Sequence, residues 1–306
     1  MHTASRAAAK QAAISFTSLL ISTLLWGCGG GGSSPQPTAI QSSTPSTSFS
    51  IKQGEILNGV TYGRGVCVAV GDSGKVMTSN DFSTWSLTAS GSGSTLLGVA
   101  YGNGIFVAVG TDGALLISSD GESWSPAASN SGEALYGVAY GAGLFVAVGT
   151  NGAVLTSRNG VDWVTGSTGV SNWLYGVSFI DGRFAAVGEG GAILTSPNGI
   201  DWTATASGVC AWIFSAAYGK GAFVAVGESG TVVTSTDAVT WTSVDAGTEA
   251  TLMSIAYGSN GFVAVGEGGV IIRSIDGSSW TTSAQSGSDW LYGVVSVANK
   301  VVTVGL

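Results

Sequence analysis

The sequence predicts an all-β fold, a seven-bladed β-propeller built from 39-residue repeats of four strands. A tryptophan recurs every 39 residues, and so does a glycine that closes an apolar run. No part of the repeat has the apolar period of an amphipathic helix. The recurring residues are Trp85, Trp124, Trp163, Trp202, Trp241 and Trp280, and Gly71, Gly110, Gly149, Gly188, Gly227, Gly266 and Gly305. A four-stranded unit of about 40 residues, repeated in this way, is typical of a propeller blade.

The four strands are clearest in the repeat from Leu135 to Trp163. YGVAYG and LFVAVG are joined by a glycine-rich turn, AVLTS follows GTNG, and DWVTG follows RNGV. Alternation, β-branched residues and Gly, Asn or Asp turns at this spacing indicate short antiparallel strands. One slot in the second strand is usually phenylalanine and holds Cys67 in the first repeat and Val301 in the last. We therefore expect Cys67 to be a core side chain rather than a nucleophile.

The number of blades depends on how the ring closes. The glycines count seven units, but the seventh contains only its first two strands before the chain ends at Leu306. Residues 39–50, with Ile40 and Phe49 as apolar points, are in phase to supply the missing strands. We therefore expect the last blade to be closed by N-terminal strands, which leaves no open sheet edge. A six-bladed ring with a separate hairpin is the alternative.

The first 50 residues precede the repeats. Residues 1–27 have a basic start and an apolar run from Ala12 to Trp26, which is too short to span a membrane and fits a secretory signal. The segment LLWGCGG resembles a bacterial lipobox, with Cys28 as the residue that would carry the lipid. Residues 28–50 are rich in Gly, Ser, Thr and Pro, which is the composition of a flexible tether, and residues 51–306 are the propeller. A plain signal peptide and a free protein are the alternative.

These features predict an exported, lipid-anchored protein. Gly29 follows the predicted lipid-bearing cysteine, so no aspartate of the kind that retains lipoproteins in the inner membrane stands there. We therefore expect the outer membrane or the cell surface rather than the inner membrane.

Composition excludes several classes of function. Removal of residues 1–27 leaves 8 basic against 18 acidic residues, a net charge of about −10, and phosphate backbones require basic surfaces. Nucleic-acid binding is therefore excluded. No histidine follows residue 27, which excludes histidine-based catalysis and histidine-ligated metals. Cys67 and Cys210 do not have zinc-site spacing. We expect no cofactor, no metal and a monomer.

The turns before the recurring tryptophans carry a family resemblance. They read SNDFSTW, SSDGESW, SRNGVDW, SPNGIDW, STDAVTW and SIDGSSW. These turns resemble the Asp boxes of sialidase-type (BNR) propellers, and the whole repeat is similar to bacterial propellers that are described as photosystem II assembly factor-like. The turns here are one residue shorter than that family's pattern. Their expected role is structural: the Asx side chain accepts hydrogen bonds from the turn, and the tryptophan packs between sheets.

Sialidase activity is not expected despite this resemblance. In that family an arginine cluster holds the substrate carboxylate, and a tyrosine, a glutamate and an aspartate do the chemistry. After residue 27 the chain has four arginines, Arg64, Arg158, Arg183 and Arg273, and it lacks the FRIP-like motif. The first three fall in turns on the face away from the usual active site of a propeller.

The candidate binding residues are those that vary within the repeat. The residue that opens each blade is tryptophan in three repeats, at Trp173, Trp212 and Trp290, and the turn after the second strand is acidic at Glu189, Glu228 and Glu267. Both positions map to the channel-mouth face of a propeller. Three interpretations remain open: the tryptophans cover the core, they anchor a protein partner, or they stack on a glycan whose hydroxyls bond the carboxylates.

The function that these observations favour is a non-catalytic envelope scaffold that binds a protein partner. Glycan binding is the alternative, and glycoside hydrolysis by a pair of these glutamates is the one enzyme class left open. A calcium site made by the same acids is also open. On the opposite face, Arg64, Arg183, Lys220 and Lys300 fall near the turns between first and second strands, so the disc has a less acidic side.

Overall fold

In the computed structural model, the described residues are 47–51, 56–285 and 289–306, with side chains described for 56–282 and 289–306. They form an all-β propeller of four-stranded antiparallel blades. The predicted signal (1–27), the lipidation site Cys28 and most of the tether lie outside the described residues.

Six sheets have four strands each, paired in chain order from the channel outwards. Blades 1 to 3 are β2 (Leu57–Gly63), β3 (Val66–Gly71), β4 (Lys75–Ser79), β5 (Ser86–Ala89); β6 (Leu96–Gly102), β7 (Ile105–Gly110), β8 (Leu115–Ser118), β9 (Ser125–Pro126); and β10 (Leu135–Gly141), β11 (Leu144–Gly149), β12 (Val154–Ser157), β13 (Val164–Thr165). Blades 4 to 6 are β14 (Leu174–Ile180), β15 (Arg183–Gly188), β16 (Ala192–Ser196), β17 (Thr203–Ala206); β18 (Ile213–Gly219), β19 (Ala222–Gly227), β20 (Val232–Ser235), β21 (Thr242–Val244); and β22 (Leu252–Gly258), β23 (Gly261–Gly266), β24 (Val270–Ser274), β25 (Thr281–Gln285).

A short 3₁₀ turn links the second and third strands of every complete blade. These turns span Asp72–Gly74, Thr111–Gly113, Thr150–Gly152, Glu189–Gly191, Glu228–Gly230 and Glu267–Gly269. The middle residue of each turn has a positive φ, between 51° and 63°. This conformation explains why the middle position holds Gly, Asn, Asp or Ser in all six turns.

The prediction of seven complete blades is wrong for the described residues, which form six four-stranded blades. The remaining sheet has three strands, β26 (Leu291–Val297), β27 (Lys300–Gly305) and β1 (Thr47–Ile51). β1 runs parallel to β27, whereas the third strand of every complete blade is antiparallel to the second. The reason is the one that the sequence raised: the last repeat ends after two strands, and a single short segment is placed beside them.

This three-stranded sheet lies between blade 6 and blade 1. β26 packs against β22 on one side and β2 on the other. Val301 joins a core cluster with Val263 and Val265 of blade 6, whereas Val304 joins one with Leu57 of blade 1. The alternation of the strand thus buries apolar side chains on both faces.

The core lies between successive sheets and repeats with the sequence. The predicted phenylalanine slot of the second strand is at most 1% exposed in blades 2 to 6, and Cys67 in the same slot is 0% exposed. Burial raises the pKa of the Cys67 thiol to about 12. The prediction that Cys67 is a core side chain is therefore confirmed.

The Asp-box turns have the predicted hydrogen bonds in all six blades. In blade 2, Asp120 Oδ1 accepts the backbone N–H groups of Glu122 and Ser123, both at 2.8 Å, and Trp124 Nε1 donates to the Gly121 carbonyl at 2.9 Å. Trp124 packs on the core between blades 1 and 2. These turns therefore fix the edge of each sheet.

Candidate functional site

The channel-mouth face consists of the loops that open the blades together with the 3₁₀ turns. The carbonyl of each opening residue accepts a backbone N–H from the turn, or from Leu306 in the last sheet, at 2.8–3.1 Å. The opening residues are Ile56, Thr95, Ala134, Trp173, Trp212, Thr251 and Trp290. Loop and turn therefore form one unit in every sheet, as the common phase of the two sets of residues predicted.

The recurring glycines exist because of this contact. A β-carbon on any of the seven would overlap the carbonyl oxygen of the opening residue. The φ of the six that precede 3₁₀ turns lies between −160° and −176°, which any residue adopts. Glycine is therefore required for space, not for an unusual backbone conformation.

Trp173 and Glu189 come together, and so do Trp212 and Glu228. The carboxylate of each glutamate accepts the backbone N–H of the tryptophan, at 3.2 Å for Trp173 and 3.0 Å for Trp212. All four side chains are half-buried. The glutamates thus hold the loops that present the tryptophans, in addition to giving the face its charge.

The third predicted pair does not form. Glu267 accepts the backbone N–H of Thr251 at 3.1 Å, because the opening residue of its own blade is threonine. Trp290 opens the last sheet, where Leu306 takes the place of the turn residue, and its indole stacks on Tyr292 with ring centroids 6.2 Å apart. The six predicted residues share a face, but only two tryptophan–glutamate pairs are built.

Sequence reasoning missed a ring of side chains that closes the channel under this face. These channel-closing residues occupy the second position of each inner strand, again 39 residues apart, and all are at most 4% exposed. They are Asn58, Leu97, Tyr136, Tyr175, Phe214, Met253 and Tyr292. The 39-residue period with large apolar side chains was the signal that could have identified them.

Two of the tryptophans rest on this ring. The Trp173 and Tyr136 centroids lie 6.0 Å apart, those of Trp212 and Tyr175 lie 5.6 Å apart, and the two tyrosines pack at 5.4 Å. One part of each indole is therefore occupied by packing, and the other part is exposed. The arc they form covers blades 3 to 5.

Asn58 replaces the large apolar side chain in blade 1. Its Nδ2 donates to Asp72 Oδ1 and to the Leu96 carbonyl, both at 3.1 Å, while its Oδ1 is buried without a hydrogen-bond partner. Because both neighbours only accept, the amide orientation is fixed and Oδ1 faces away from them. Burial, and then the charge of Asp72, raise the pKa of Tyr292 to about 12. The channel closure is therefore polar on this side.

A cavity of about 140 Å³ lies in the channel along the inner strands. Asn58, Leu97, Phe214 and Tyr292 line it, together with the glycines that follow several channel-closing residues. Two serines replace glycine in that next position: Ser215 Oγ accepts the Ile255 N–H and Ser254 Oγ accepts the Val294 N–H, both at 3.3 Å. The cavity is thus lined by polar groups close to Asn58.

The two faces differ in charge over residues 56–285 and 289–306. Nine acids lie in opening loops or 3₁₀ turns: Asp72, Asp112, Glu133, Glu189, Glu228, Asp245, Glu249, Glu267 and Asp289. Lys75 is the single basic residue beside them in those residues. The opposite face has eight acids and six bases: Asp81, Asp120, Glu122, Asp162, Asp181, Asp201, Asp237, Asp276, and Arg64, Arg158, Arg183, Lys220, Arg273, Lys300. The net charges are thus −8 and −2, in the direction that the sequence indicated.

Within the part of the chain that the structure describes, no three His, Cys, Asp or Glu side chains are grouped so that they could hold a metal ion. The predicted calcium interpretation of the acidic turns therefore has no ligand cluster there. A search of the same residues for a long, apolar helix that could cross a membrane finds none.

The channel-mouth face can bind, but its described carboxylates have structural partners. Glu133, in the opening loop of blade 3, accepts from Thr150 Oγ1 and from Asn151 Nδ2, the latter at 3.0 Å. This arrangement reverses the order seen in blades 4 to 6, where the turn supplies the carboxylate. The sequence did not single out Glu133, since its partners depend on the loop conformation.

Comparison with known proteins supports the fold. No protein-family model and no curated protein matches the chain. Among solved structures, YCF48 from Cyanidioschyzon merolae is 19% identical with a TM-score of 0.65, and the match covers 81% of this chain and 92% of that one. YCF48 bound to D1 peptide is 16% identical with a TM-score of 0.68, covering 82% and 89%. The WD40 β-propeller domain of Doa1 is 14% identical with a TM-score of 0.69, covering 83% and 90%. The chain therefore has the β-propeller fold of these structures.

Proposed function

We propose that this protein is a non-catalytic binding or assembly scaffold that recognises a protein partner through the channel-mouth face. The observation that carries the proposal is the pair Trp173 and Trp212, each half-exposed, each resting on a tyrosine, and each held by a glutamate at its backbone N–H. Rigid aromatic side chains on a fixed backbone lose little entropy on binding and are common anchors of protein interfaces.

The similar structure of YCF48 bound to D1 peptide supports this proposal, because it is a propeller of the same fold that binds a peptide. The carboxylates favour binding over catalysis. Glu189, Glu228 and Glu267 each bond a backbone N–H, so they serve the loops first.

The proposal includes the ring and its anchor. The three-stranded sheet is the seventh blade, and it is closed by residues 39–51. Cys28 carries a lipid, and the tether presents the propeller on the outer membrane or the cell surface.

Cys210 offers a test at the proposed interface. It is exposed in the loop that opens blade 5, two residues before Trp212. A photo-crosslinker attached to Cys210 of the full chain, irradiated with native envelopes, is expected to capture a protein. The Trp173→Ala/Trp212→Ala variant should lose that product. A Cys210→Ser/Glu122→Cys control, with the label on the opposite face, should not form it.

Two outcomes would overturn the proposal. Equal capture from both faces, or capture that survives loss of the tryptophans, would show that this face is not the interface. Specific binding to a glycan array that Trp173→Ala/Trp212→Ala loses would support the glycan alternative instead. Turnover of a reporter glycoside that Glu228→Gln abolishes would establish an enzyme.

A further inference from the structure

We infer that the partner of the channel-mouth face presents a cationic segment, an exposed peptide rich in arginine or lysine. This inference rests on the proposed function and names the chemistry that the same face would recognise. Three independent features of the described residues support it: the charge of the face, the exposed indoles and the polar gap at Asn58.

The charge of the face selects a cation. Nine acidic residues and one lysine give it a net charge of −8, against −2 for the opposite face. A field of one sign attracts and orients an oppositely charged partner, and it disfavours an acidic one. The effect is screened over about 8–10 Å at physiological salt, so the binding is expected to weaken as salt rises.

The indoles select the same chemistry. Trp173 and Trp212 each use one part of the ring to pack on Tyr136 or Tyr175 and leave another part exposed. Tryptophan is the best aromatic partner for a guanidinium or ammonium group. Glu189 and Glu228 lie beside these rings, where a carboxylate adds to the attraction for a stacked cation.

The third feature is a buried acceptor that has no donor. Asn58 is 1% exposed, lines the channel cavity, and has an Oδ1 without a hydrogen-bond partner. Its amide also bonds the Asp72 carboxylate, and Tyr292 lies close enough for the charge of Asp72 to raise its pKa. A buried acceptor left unpaired is unfavourable. An ammonium or guanidinium group that enters from the side of Asp72 would supply the missing donor and meet a negative charge.

Three blocked peptides of identical length test the inference with the full chain. Each is a Gly/Ser backbone with three substituted positions, occupied by arginine, serine or glutamate, and carries a fluorescent label for anisotropy. The arginine peptide is expected to bind, with an affinity that falls as salt is raised. The serine peptide should bind more weakly and the glutamate peptide not at all.

Matched variants locate the site. Asp112→Asn/Glu249→Gln removes two exposed charges from the channel-mouth face, and asparagine fits the turn at 112 because Asn151 occupies the same slot with φ 55°. This variant should bind the arginine peptide about threefold more weakly. Glu122→Gln/Asp201→Asn removes the same charge from the opposite face and should leave binding unchanged. Trp173→Ala/Trp212→Ala should weaken binding about tenfold or more.

Each remaining outcome overturns the inference. Equal loss in both charge variants would mean that only the net charge of the protein matters. Binding of the serine or glutamate peptide that matches the arginine peptide, and that the tryptophan variant loses, would overturn the cationic partner and leave the proposed face standing. If no peptide binds, the cationic inference falls, whereas the crosslinking experiment at Cys210 still decides the proposed function.

Discussion

The carbonyl oxygen of Trp173 lies against the α-carbon of Gly188, at the place that a β-carbon would occupy. The same contact joins Trp212 to Gly227 and Trp290 to Gly305. It links the most regular feature of the sequence, the glycine that recurs every 39 residues, to its most variable one, the residue that opens each blade. The glycine accepts any opening residue because it contacts only the backbone. This is how one repeat can carry tryptophan in three sheets and small residues in others.

The first prediction concerns this contact. Gly188→Ala should lower the free energy of unfolding by about 3 kcal/mol, since the methyl group must displace the backbone of Trp173. Urea unfolding followed by circular dichroism measures the change. Gly132→Ala is the matched control, because its β-carbon meets no atom within 4 Å, and it should change stability by less than about 0.5 kcal/mol. Similar values for the two variants would contradict the explanation of the recurring glycines.

The second prediction concerns acid stability. The backbone N–H groups of Ser123 and then Glu122 lower the pKa of Asp120 to about 2 in the folded protein, against about 3.9 in an unfolded chain. The stability from this carboxylate is therefore complete above about pH 4 and is lost as the pH falls towards 2. Asp120→Asn keeps the acceptor oxygen, as Asn159 does in its own turn.

Thermal unfolding between pH 4 and pH 2 measures the effect. The melting temperature of Asp120→Asn should fall less steeply with decreasing pH than that of the parent. Asp112→Asn, which changes an exposed carboxylate in a 3₁₀ turn, should follow the parent curve. Parallel curves for Asp120→Asn and the parent would show that the turn does not favour the charged form.

The repeat made much of the fold readable. A fixed period of 39 residues places equivalent residues in equivalent environments, so Cys67 was assigned to the core from the phenylalanines that occupy its slot elsewhere. The Asx turns were predictable for a similar reason, since their hydrogen bonds lie within four residues of the aspartate or asparagine.

The seam and the details of the site were not readable in this way. The last sheet depends on a long-range pairing that occurs once, between β1 and β27, so no other copy of the repeat could indicate its direction. The role of Glu189 and Glu228 as acceptors for the tryptophan N–H groups depends on the path of two loops, 16 residues apart in sequence. Asn58 drew no attention because a single polar residue in an apolar series has no period.

The third prediction uses the two thiols. Cys67 is buried with a pKa raised to about 12, and Cys210 is exposed. Since the thiolate is the reactive form, a Cys28→Ser chain should react rapidly with one equivalent of a thiol reagent at pH 8. Cys210→Ser should abolish the rapid phase, and Cys67 should react only when denaturant unfolds the chain. Rapid modification of Cys67 in the folded protein would contradict its place between the sheets.

The fourth prediction concerns the seam. β1 covers the outer edge of β27, so deletion of residues 47–51 should leave that edge open. An open edge strand promotes association between molecules. Light scattering during storage should therefore detect aggregation of the deletion variant, together with a lower melting temperature. Deletion of residues 29–33, which precede the described part of the chain, is the control of equal length and should leave both properties unchanged.

The fifth prediction concerns the hairpin turn of blade 3. Ala142 and Gly143 have φ of 48° and 75°, the geometry of a two-residue turn that favours Asn-Gly, and blade 2 has Asn103 and Gly104 at 49° and 80°. Alanine in the left-handed region costs about 1 kcal/mol, whereas asparagine is better tolerated there. Because Ala142 is exposed, Ala142→Asn should raise the free energy of unfolding by about 0.5–1 kcal/mol, measured in urea. Asn103→Ala is the reverse exchange at the equivalent position and should lose at least as much, since Asn103 also donates to the Arg158 carbonyl at 3.4 Å. A change of the same sign in both variants would show that something other than the turn conformation sets the stability of these hairpins.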